Sequence, residues 1–468
     1  MAHVDLPFLP AAWDAGRDHA PALYDNGAWI SYGVLREQVA ALLPALAAPR
    51  KELIFCAIEA SAAGVAAYLA AAASGHAVAM LDVGVPQWAE LVAAYQPAFI
   101  IAPAAHPHDL NYRVVAWADG AGLWAREEAV HAPIHPDLFL LLLTSGSTGG
   151  KKFVRLSYRN LASNTAAIID SLGLRATARA FLHLPLSYSF GLSVLHTQLA
   201  VGGGVVVTGL GMMERGFWDL ARHAGATLFP GVPYHYEMLA RLGLARLNLP
   251  ELTIFLQAGG RLDPALVHQL LPVITARQGA LFVMYGQTEA APRISCFAAH
   301  EHADKIGSVG RVLPGGTVTL EADEITYRGA NVMLGYATTR TDLALGDTQN
   351  GVLRTGDLGA VDADGFITIT GRKQRFAKLF GMRIALDEIE QLLRPLAPVA
   401  VYETAAKIVI MTTADAPTQE LLRQTVATQT SLQPNWVAIR GIAEFPYLAN
   451  GKLDYRALME SKPPAPKL

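Results

Sequence analysis

From Leu140 to Lys152 the chain reads Leu-Leu-Leu-Leu-Thr-Ser-Gly-Ser-Thr-Gly-Gly-Lys-Lys. An apolar run opens into Thr144, Ser145, Gly146, Ser147, Thr148, Gly149 and Gly150 and closes on Lys151 and Lys152. Backbone N–H groups, hydroxyl donors and cations gather there with nothing bulky between them, which suits phosphate oxygens. The spacing G-x-x-x-x-G-K-[ST] is not met, because five residues after Gly146 stands Lys151 and not glycine. A flexible Ser/Gly turn has the same composition, so the loop alone leaves both readings open. A second cluster, Tyr285-Gly286-Gln287-Thr288-Glu289, follows the apolar run Leu281–Met284 and so sits at a strand's C-terminal end, where open α/β sheets place ligands. Its ring can stack on a base, its hydroxyl can bond a phosphate, and its carboxylate can hold a divalent cation. Asp357 in Thr-Gly-Asp and Lys452 in an Asn-Gly turn read, on their own, as solvated turn residues. The pairs His106/His108 and His300/His302 lack further ligand-spaced partners and read as surface histidines, not a metal site.

The elements that must position these groups alternate. Leu53–Ile58, Ala77–Leu81, Phe99–Ile101, Leu138–Leu143, Val205–Thr208, Thr227–Phe229, Thr253–Gln257 and Leu281–Met284 are short, continuous apolar runs, most followed by helix-length segments, as in a parallel sheet covered on both faces. From about Ile306 short alternating strands separated by glycines take over (Thr317–Leu320, Glu324–Tyr327, Gly365–Thr370), with no helix-length segment until Leu386–Leu393. The expected fold is therefore α/β: a large N-terminal domain of layered parallel and mixed sheets with helices plus a small antiparallel β subdomain, then a small mobile α+β C-terminal lobe. Gly371-Arg372-Lys373-Gln374 reads as the linker. The expected division is 1–373, with a subdomain change near 306, and 374–468, the lobe bearing Lys452.

Composition narrows the classes. The 468 residues are 52% hydrophobic and only 16% charged, which excludes disorder and demands two-sided burial. A net charge of −3 gives no global attraction to nucleic acid or an anionic membrane. Gly64–Leu81 approaches the length of a membrane span, but it is mostly alanine and is interrupted by Ser74-Gly75-His76, so it reads as a buried helix ending at Gly75 followed by a strand. No secretory signal is visible, and two cysteines, Cys56 and Cys296, fit inert thiols in a reducing, cytoplasmic setting.

The glycine-rich run closely resembles the phosphate loop, T-S-G-S-T-G-x-P-K, of the adenylate-forming (AMP-binding) superfamily, which comprises acyl-CoA synthetases, aryl-acid ligases, stand-alone adenylation enzymes and luciferases. Lys152 takes the place of the pattern's lysine, and Lys151 replaces its proline. Further blocks follow in the family's order: Ala67-Tyr68-Leu69 to Leu81-Asp82, Leu184 to Gly191, Gly231-Val232-Pro233, Ala258-Gly259-Gly260, Tyr285 to Glu289, Gly307-Ser308-Val309-Gly310, Thr355-Gly356-Asp357, Gly371-Arg372, Lys378 to Ile384, and Asn450-Gly451-Lys452-Leu453-Asp454. The resemblance covers roughly residues 60 to 456. It implies that Thr144 to Gly149 with Lys152 cradle ATP phosphates, Tyr285 stacks on adenine, Gly286 and Gln287 complete that turn, Thr288 bonds the α-phosphate, and Glu289 with Thr148 holds Mg²⁺. It further implies that Gly259, Gly260 and Arg261 border the adenine edge, that Asp357 with Arg372 takes the ribose hydroxyls, and that Lys452 is the adenylation lysine. Gln374, where relatives often carry Asp or Lys, is the implied hinge, with Lys378, Gly381 and Arg383 lining the pantetheine approach.

The acyl pocket is less legible. Tyr188 stands where many relatives place histidine, and the amino-acid signature Phe-Asp-x-Ser is missing from Leu186–Gly191, so no anion is placed to hold an α-ammonium. Tyr188, Phe190, Val232, Tyr234, Gln257 and Met284 form an aromatic and largely apolar set compatible with an aryl or alkyl acid, although each is equally suited to core packing. The resemblance implies an ATP- and Mg²⁺-dependent ligase that activates an acid as acyl-adenylate and passes it to the thiol of CoA or of a carrier protein's phosphopantetheine. The alternatives are an amino-acid-activating ligase like the D-alanine ligases, a luciferase-like oxidative enzyme, and a non-catalytic adenylate-binding scaffold. No nucleic-acid partner and no membrane span is expected, and neither the acid, the acceptor, the pathway nor the oligomeric state can be read.

Overall fold

The computed structural model describes residues 6–85, 88–103, 111–118, 121–128, 130, 132–145, 151–373, 376–379, 382–404, 407–430, 432, 434–448 and 451–461. The chain forms two compact units: Met1–Val318 with Tyr327–Leu353 and Ala363–Phe366, and Thr319–Thr326 with Arg354–Asp362 and Ile367–Leu468.

The first unit is built on two large sheets. In the nine-stranded sheet, Arg179–Leu182, Leu228–Gly231, Ile254–Gln257 and Ala280–Tyr285 lie side by side and parallel. Gly204–Val207 and Pro21–Asp25 extend the parallel run beyond Arg179–Leu182, so strand order reverses at that strand. Ser295–Ala298, Arg311–Val312 and Ala28–Ser31 close the two edges antiparallel. In the eight-stranded sheet, Leu138–Ser145, Ala77–Leu81, Leu53–Ala57 and Phe99–Pro103 are parallel. Lys151–Ser157 and Gly335–Ala337 add an antiparallel edge on one side, and Ala121–Arg126 and Tyr112–Ala118 on the other. These edge strands were not read from the sequence, because charged residues such as Arg113, Lys152 and Arg155 interrupt the apolar runs that mark the buried strands.

Helices Ala62–Ala73, Tyr158–Leu172 and Ser189–Val201 lie between the sheets: one core joins Ile54, Phe139 and Val154 from one sheet, Leu182, Val205 and Leu256 from the other, and Ala66, Leu161 and Leu195 from the helices. Helices Arg215–His223, Pro233–Leu242 and Pro264–Thr275 cover the outer face of the nine-stranded sheet, and Trp88–Tyr95 that of the eight-stranded one. Two-sided burial of both sheets accounts for the low charge content. It also explains the alanine run: Ser61 caps the helix at Gly64 N, Ala66 to Ala72 are buried, and the chain leaves through Gly75 at φ +81°. Small side chains let this helix pack closely between two sheets. No helix among the described residues is long and apolar enough to cross a membrane.

In the second unit, Val399–Glu403, Ile408–Thr412 and Val437–Gly441 form a three-stranded sheet packed on helices Leu386–Leu393 and Ala416–Gln429. Phe376–Leu379 pairs with Met382–Ala385 as a hairpin. Residues 357–361 pair antiparallel with Ile367–Arg372. Gly371 and Arg372 are thus paired strand and not linker, since their backbone groups face Leu358 and Asp357. Cys56 is fully buried, but Cys296 is only half-buried by surface area; both are free, and burial pushes both thiols up, Cys296 to about 12.

Candidate active site

Four of the segments singled out in the sequence leave the carboxyl ends of four adjacent parallel strands. Tyr188 follows Arg179–Leu182, Val232 follows Leu228–Gly231, Gly259 follows Ile254–Gln257, and Thr288 follows Ala280–Tyr285. Parallel strands put these ends on one edge, beside the strand at which the order reverses, where such sheets bind ligands. The segments also touch. A β-carbon at Gly259 would collide with the Tyr188 hydroxyl and lie 3.0 Å from Val232 Cγ1. Tyr188 caps helix Ser189–Val201, and Ser189, its first residue, sets Oγ 3.1 Å from Thr288 Oγ1. Burial pushes the Tyr188 phenol up to about 12, against a smaller opposing effect of Arg293.

The Tyr285–Glu289 turn is held by backbone approach. A β-carbon at Gly286 would collide with the Pro292 carbonyl oxygen, so only glycine admits that segment. Ile294 N donates to Tyr285 O at 2.9 Å, and Met333 N donates to Glu289 O at 2.9 Å. Glu289 and Lys152 come together through a residue the sequence reading missed. Tyr336 donates its hydroxyl to Glu289 Oε1 at 2.8 Å, while Lys152 Nζ sits 3.4 Å from the centre of the Tyr336 ring. Burial raises the Tyr336 phenol, and the adjacent Glu289 charge raises it further, so the hydroxyl stays protonated and donating. Register brings this about: Tyr336 pairs with Val154 on strand Lys151–Ser157. A tyrosine in the middle of a three-residue edge strand carries no local signature, and only the strand pairing relates it to Lys152.

That edge strand is pinned by Arg155, which is wholly buried. Its guanidinium donates to Leu334 O at 3.0 Å, Tyr336 O at 3.1 Å, Gly346 O at 3.3 Å and Leu345 O. At Gly335, with φ +126°, a β-carbon would collide with Thr348 Oγ1 and lie 2.9 Å from Arg155 Nη2.

Of the phosphate loop, Thr144 and Ser145 end one strand and Lys151 and Lys152 begin the next, paired Thr144 to Lys152 and Ser145 to Lys151, so the loop closes an antiparallel hairpin. Thr144 Oγ1 lies 3.4 Å from Lys152 O. Gly146, Ser147, Thr148 and Gly149 lie outside the described residues, as do Gln374, Gly381, His106 and His108. Lys378 and Arg383 are backbone partners in the hairpin of the second unit.

Among the acyl-pocket candidates, Phe190, Val232, Gln257 and Met284 are buried. Gln257 is turned into its own loop, donating to Gly260 O at 2.9 Å and Ala258 O at 3.2 Å, and thereby shapes the glycine segment. The Tyr234 ring lies 5.6 Å from His235. Arg261 is exposed. His300 Nδ1 lies 3.4 Å from Leu281 O, and His302 lies against Phe366. Among the described residues no group of three or more His, Cys, Asp and Glu side chains gathers to hold a metal.

Asp357 and Arg372 belong to the second unit, where they face each other across paired strands with Arg372 Nε 3.0 Å from Asp357 Oδ1. Asp357 is therefore a strand residue with a buried carboxylate and not a solvated turn, because residues 357–361 pair along their length. Glu324 braces this pair from both sides, accepting from Gly356 N at 3.2 Å and from Lys373 Nζ at 2.7 Å. The Lys373 hydrogen bond holds the Glu324 carboxyl below the ordinary 4.5. With the folded value lowered, the stabilisation is full above the unfolded value and is lost as pH falls through the folded one. Glu324→Gln should flatten the loss of stability below about pH 4.5 in urea titrations, by roughly 1 kcal/mol or less because Lys373 is half in solvent. An unchanged acid slope would contradict this. In the same unit, Lys452 is exposed on a turn closed by Leu448 N donating to Lys452 O at 2.8 Å, beside a bridge between Tyr447 and Leu453.

The family model for AMP-binding enzyme matches residues 11–337. A 2-succinylbenzoate–CoA ligase of Bacillus velezensis is 30% identical over 296 residues, 60% of this chain and 58% of that protein. A sulfoacetate–CoA ligase of Cupriavidus necator is 33% identical over 276 residues, 56% of this chain and 53% of that protein. The matched stretch thus spans little more than half the length of either relative. The solved o-succinylbenzoate CoA synthetase of Bacillus subtilis, in complex with its acyl-adenylate intermediate, superposes with a TM-score of 0.77 at 20% identity, covering 98% of each chain, which establishes a shared fold. With the family match extending from the N-terminal segment to strand Gly335–Ala337, the chain belongs to the AMP-binding enzyme family.

Proposed function

We propose that this protein is an ATP-dependent, AMP-forming carboxylic acid ligase that transfers the activated acid to the thiol of CoA or of a carrier protein. The observation that carries the reading is the meeting of Thr288 with Ser189, and of Glu289 with Tyr336 and Lys152, on the ligand-binding edge of the sheet in a member of this family. The named relatives, both CoA ligases, support the reaction class.

In the first half-reaction an oxygen of the acid's carboxylate attacks the α-phosphorus of ATP, the bond to pyrophosphate breaks, and an acyl-adenylate forms. In the second, a thiol sulfur attacks the acyl carbon, AMP leaves, and the thiol proton passes to solvent. The chain supplies positioning and electrostatics. Tyr285 stacks on adenine, Asp357 takes the ribose hydroxyls with Arg372 beside it, and Thr288 donates to an α-phosphate oxygen. Lys152 offsets phosphate charge, and Lys452 pairs with the charge that develops at phosphorus. The residues present fit Mg²⁺: Glu289 Oε1 is occupied by Tyr336 while Oε2 makes no hydrogen bond among the described residues. One carboxylate plus substrate phosphates is a usual Mg²⁺ arrangement. When bound, the ion spreads the charge of the triphosphate.

Tyr336 positions Glu289, so Tyr336→Phe should raise the Mg²⁺ concentration for half-maximal exchange about tenfold, the value of one hydrogen bond to a charged group. An unchanged Mg²⁺ dependence would remove that role. The function itself is tested by acid-dependent exchange of labelled pyrophosphate into ATP across aryl, alkyl and amino acids. The ligase reading expects exchange with at least one acid; the scaffold alternative expects none. A buried guanidinium, Arg293, 4.4 Å from the Phe190 ring centre, disfavours an α-ammonium in that pocket and hence the amino-acid alternative.

A further inference from the structure

Arg293 is only 4% exposed, yet it is poorly partnered. Its Nε lies 3.3 Å from Met284 Sδ and its Nη2 lies 3.5 Å from Ser193 Oγ. A thioether is a weak acceptor, and the second contact is at the limit of hydrogen bonding. Nη1 makes no hydrogen bond, and no carboxylate pairs with the guanidinium, among the described residues. Burial lowers its pKa only to about 10, so it carries its charge at neutral pH. The two titratable groups that face it, Tyr188 and Cys296, are each pushed up to about 12 by burial and are neutral there. A buried cation left in this condition is costly unless something anionic reaches it.

The backbone around it is fixed. Arg293 N donates to Asn164 Oδ1 at 3.2 Å, and Arg293 O accepts from Asn164 Nδ2 at 2.9 Å and Asn331 Nδ2 at 3.0 Å. All three amide and peptide groups are buried, so the guanidinium is held in place against the Phe190 face and Met284, two residues of the candidate acyl pocket.

We propose that Arg293 binds a second anionic group at the far end of the acid, so that the substrate class is a short acid bearing a carboxylate or sulfonate besides the carboxyl that reacts. This rests on the ligase reading of the same site. Helix Ser189–Val201 sets the scale: Ser189 touches Thr288 at the reacting end, and Ser193, one turn on, touches Arg293. At 1.5 Å per residue the two points are about 6 Å apart along the helix, the span of a short dicarboxylate or of one substituted ring.

The test is pyrophosphate exchange with acids matched in skeleton: glutarate against valerate, and 4-sulfobenzoate and terephthalate against 4-methylbenzoate. The wild-type protein is expected to favour the doubly anionic member of at least one pair by about 100-fold in kcat/KM, the usual effect of a buried charge pair. In Arg293→Met that ratio falls to near one, and Arg293→Lys restores part of it. A wild-type preference for the singly charged members, or a ratio that Arg293→Met leaves intact, overturns the inference while the ligase reading stands. Exchange with no acid overturns the ligase reading, and the inference with it.

Discussion

Lys452→Ala is expected to lower acid-dependent pyrophosphate exchange roughly 100- to 1000-fold, the effect of losing one preorganised donor to developing charge. Thioester formation from supplied acyl-adenylate should persist. Lys452 is exposed on a turn of the second unit, where its carbonyl oxygen accepts from Leu448 N at 2.8 Å. Truncating an exposed side chain on such a turn disturbs the fold little, so a rate loss is attributable to charge. The two half-reactions separate the roles, because only adenylation builds negative charge at phosphorus. A cation realised in that transition state raises its rate and leaves thiol attack alone. Comparable losses in both half-reactions would assign Lys452 to the fold or to nucleotide binding in general. Lys452→Arg preserves charge but changes reach and shape, and is expected to recover only part of the rate.

Arg155→Met should destabilise the first unit by about 1–3 kcal/mol, the cost of leaving a buried polar group without its partner, because the contacts to Tyr336 O, Leu345 O and Gly346 O are only partly buried. Four carbonyls receive the guanidinium, and Leu334 O also accepts from Thr348 N at 2.9 Å and Thr348 Oγ1 at 3.0 Å. Methionine fills similar volume, which keeps the cavity contribution small. Lysine offers three donors on one nitrogen and cannot fan across carbonyls from Leu334 to Gly346, so Arg155→Lys should recover little. Urea unfolding followed by a probe in the first unit reports the loss. The weakened edge strand should also carry the Mg²⁺ shift expected of Tyr336→Phe, since Arg155 holds the backbone of Tyr336. A loss below about 1 kcal/mol would mean that the carbonyls find other donors.

The buried architecture was legible because continuous apolar runs between helix-length segments admit few folds. Ala77–Leu81 and Leu386–Leu393 have the limits expected, and the run at Leu281–Met284 is extended by one residue at each end. Motif residues were legible where the chemistry lies within a few positions, as in Tyr285–Glu289. What could not be read depends on register between distant segments. Tyr336 reaches Glu289 because its strand pairs with Lys151–Ser157, and Asp357 is buried because residues 357–361 pair with Ile367–Arg372. Arg293 was passed over for a different reason. An arginine in a Pro-Arg-Ile stretch reads as surface charge, and only its 4% exposure beside Phe190 and Met284 shows otherwise.

The most direct test of the account is the fate of ATP when the protein turns over an accepted acid with CoA or a carrier protein. Phosphorus NMR or mass spectrometry of the products should show AMP and pyrophosphate in equal amounts, matched to thioester, and with the thiol withheld an acyl-adenylate bound to the protein. ADP and inorganic phosphate instead, or thioester formed without AMP, would contradict it.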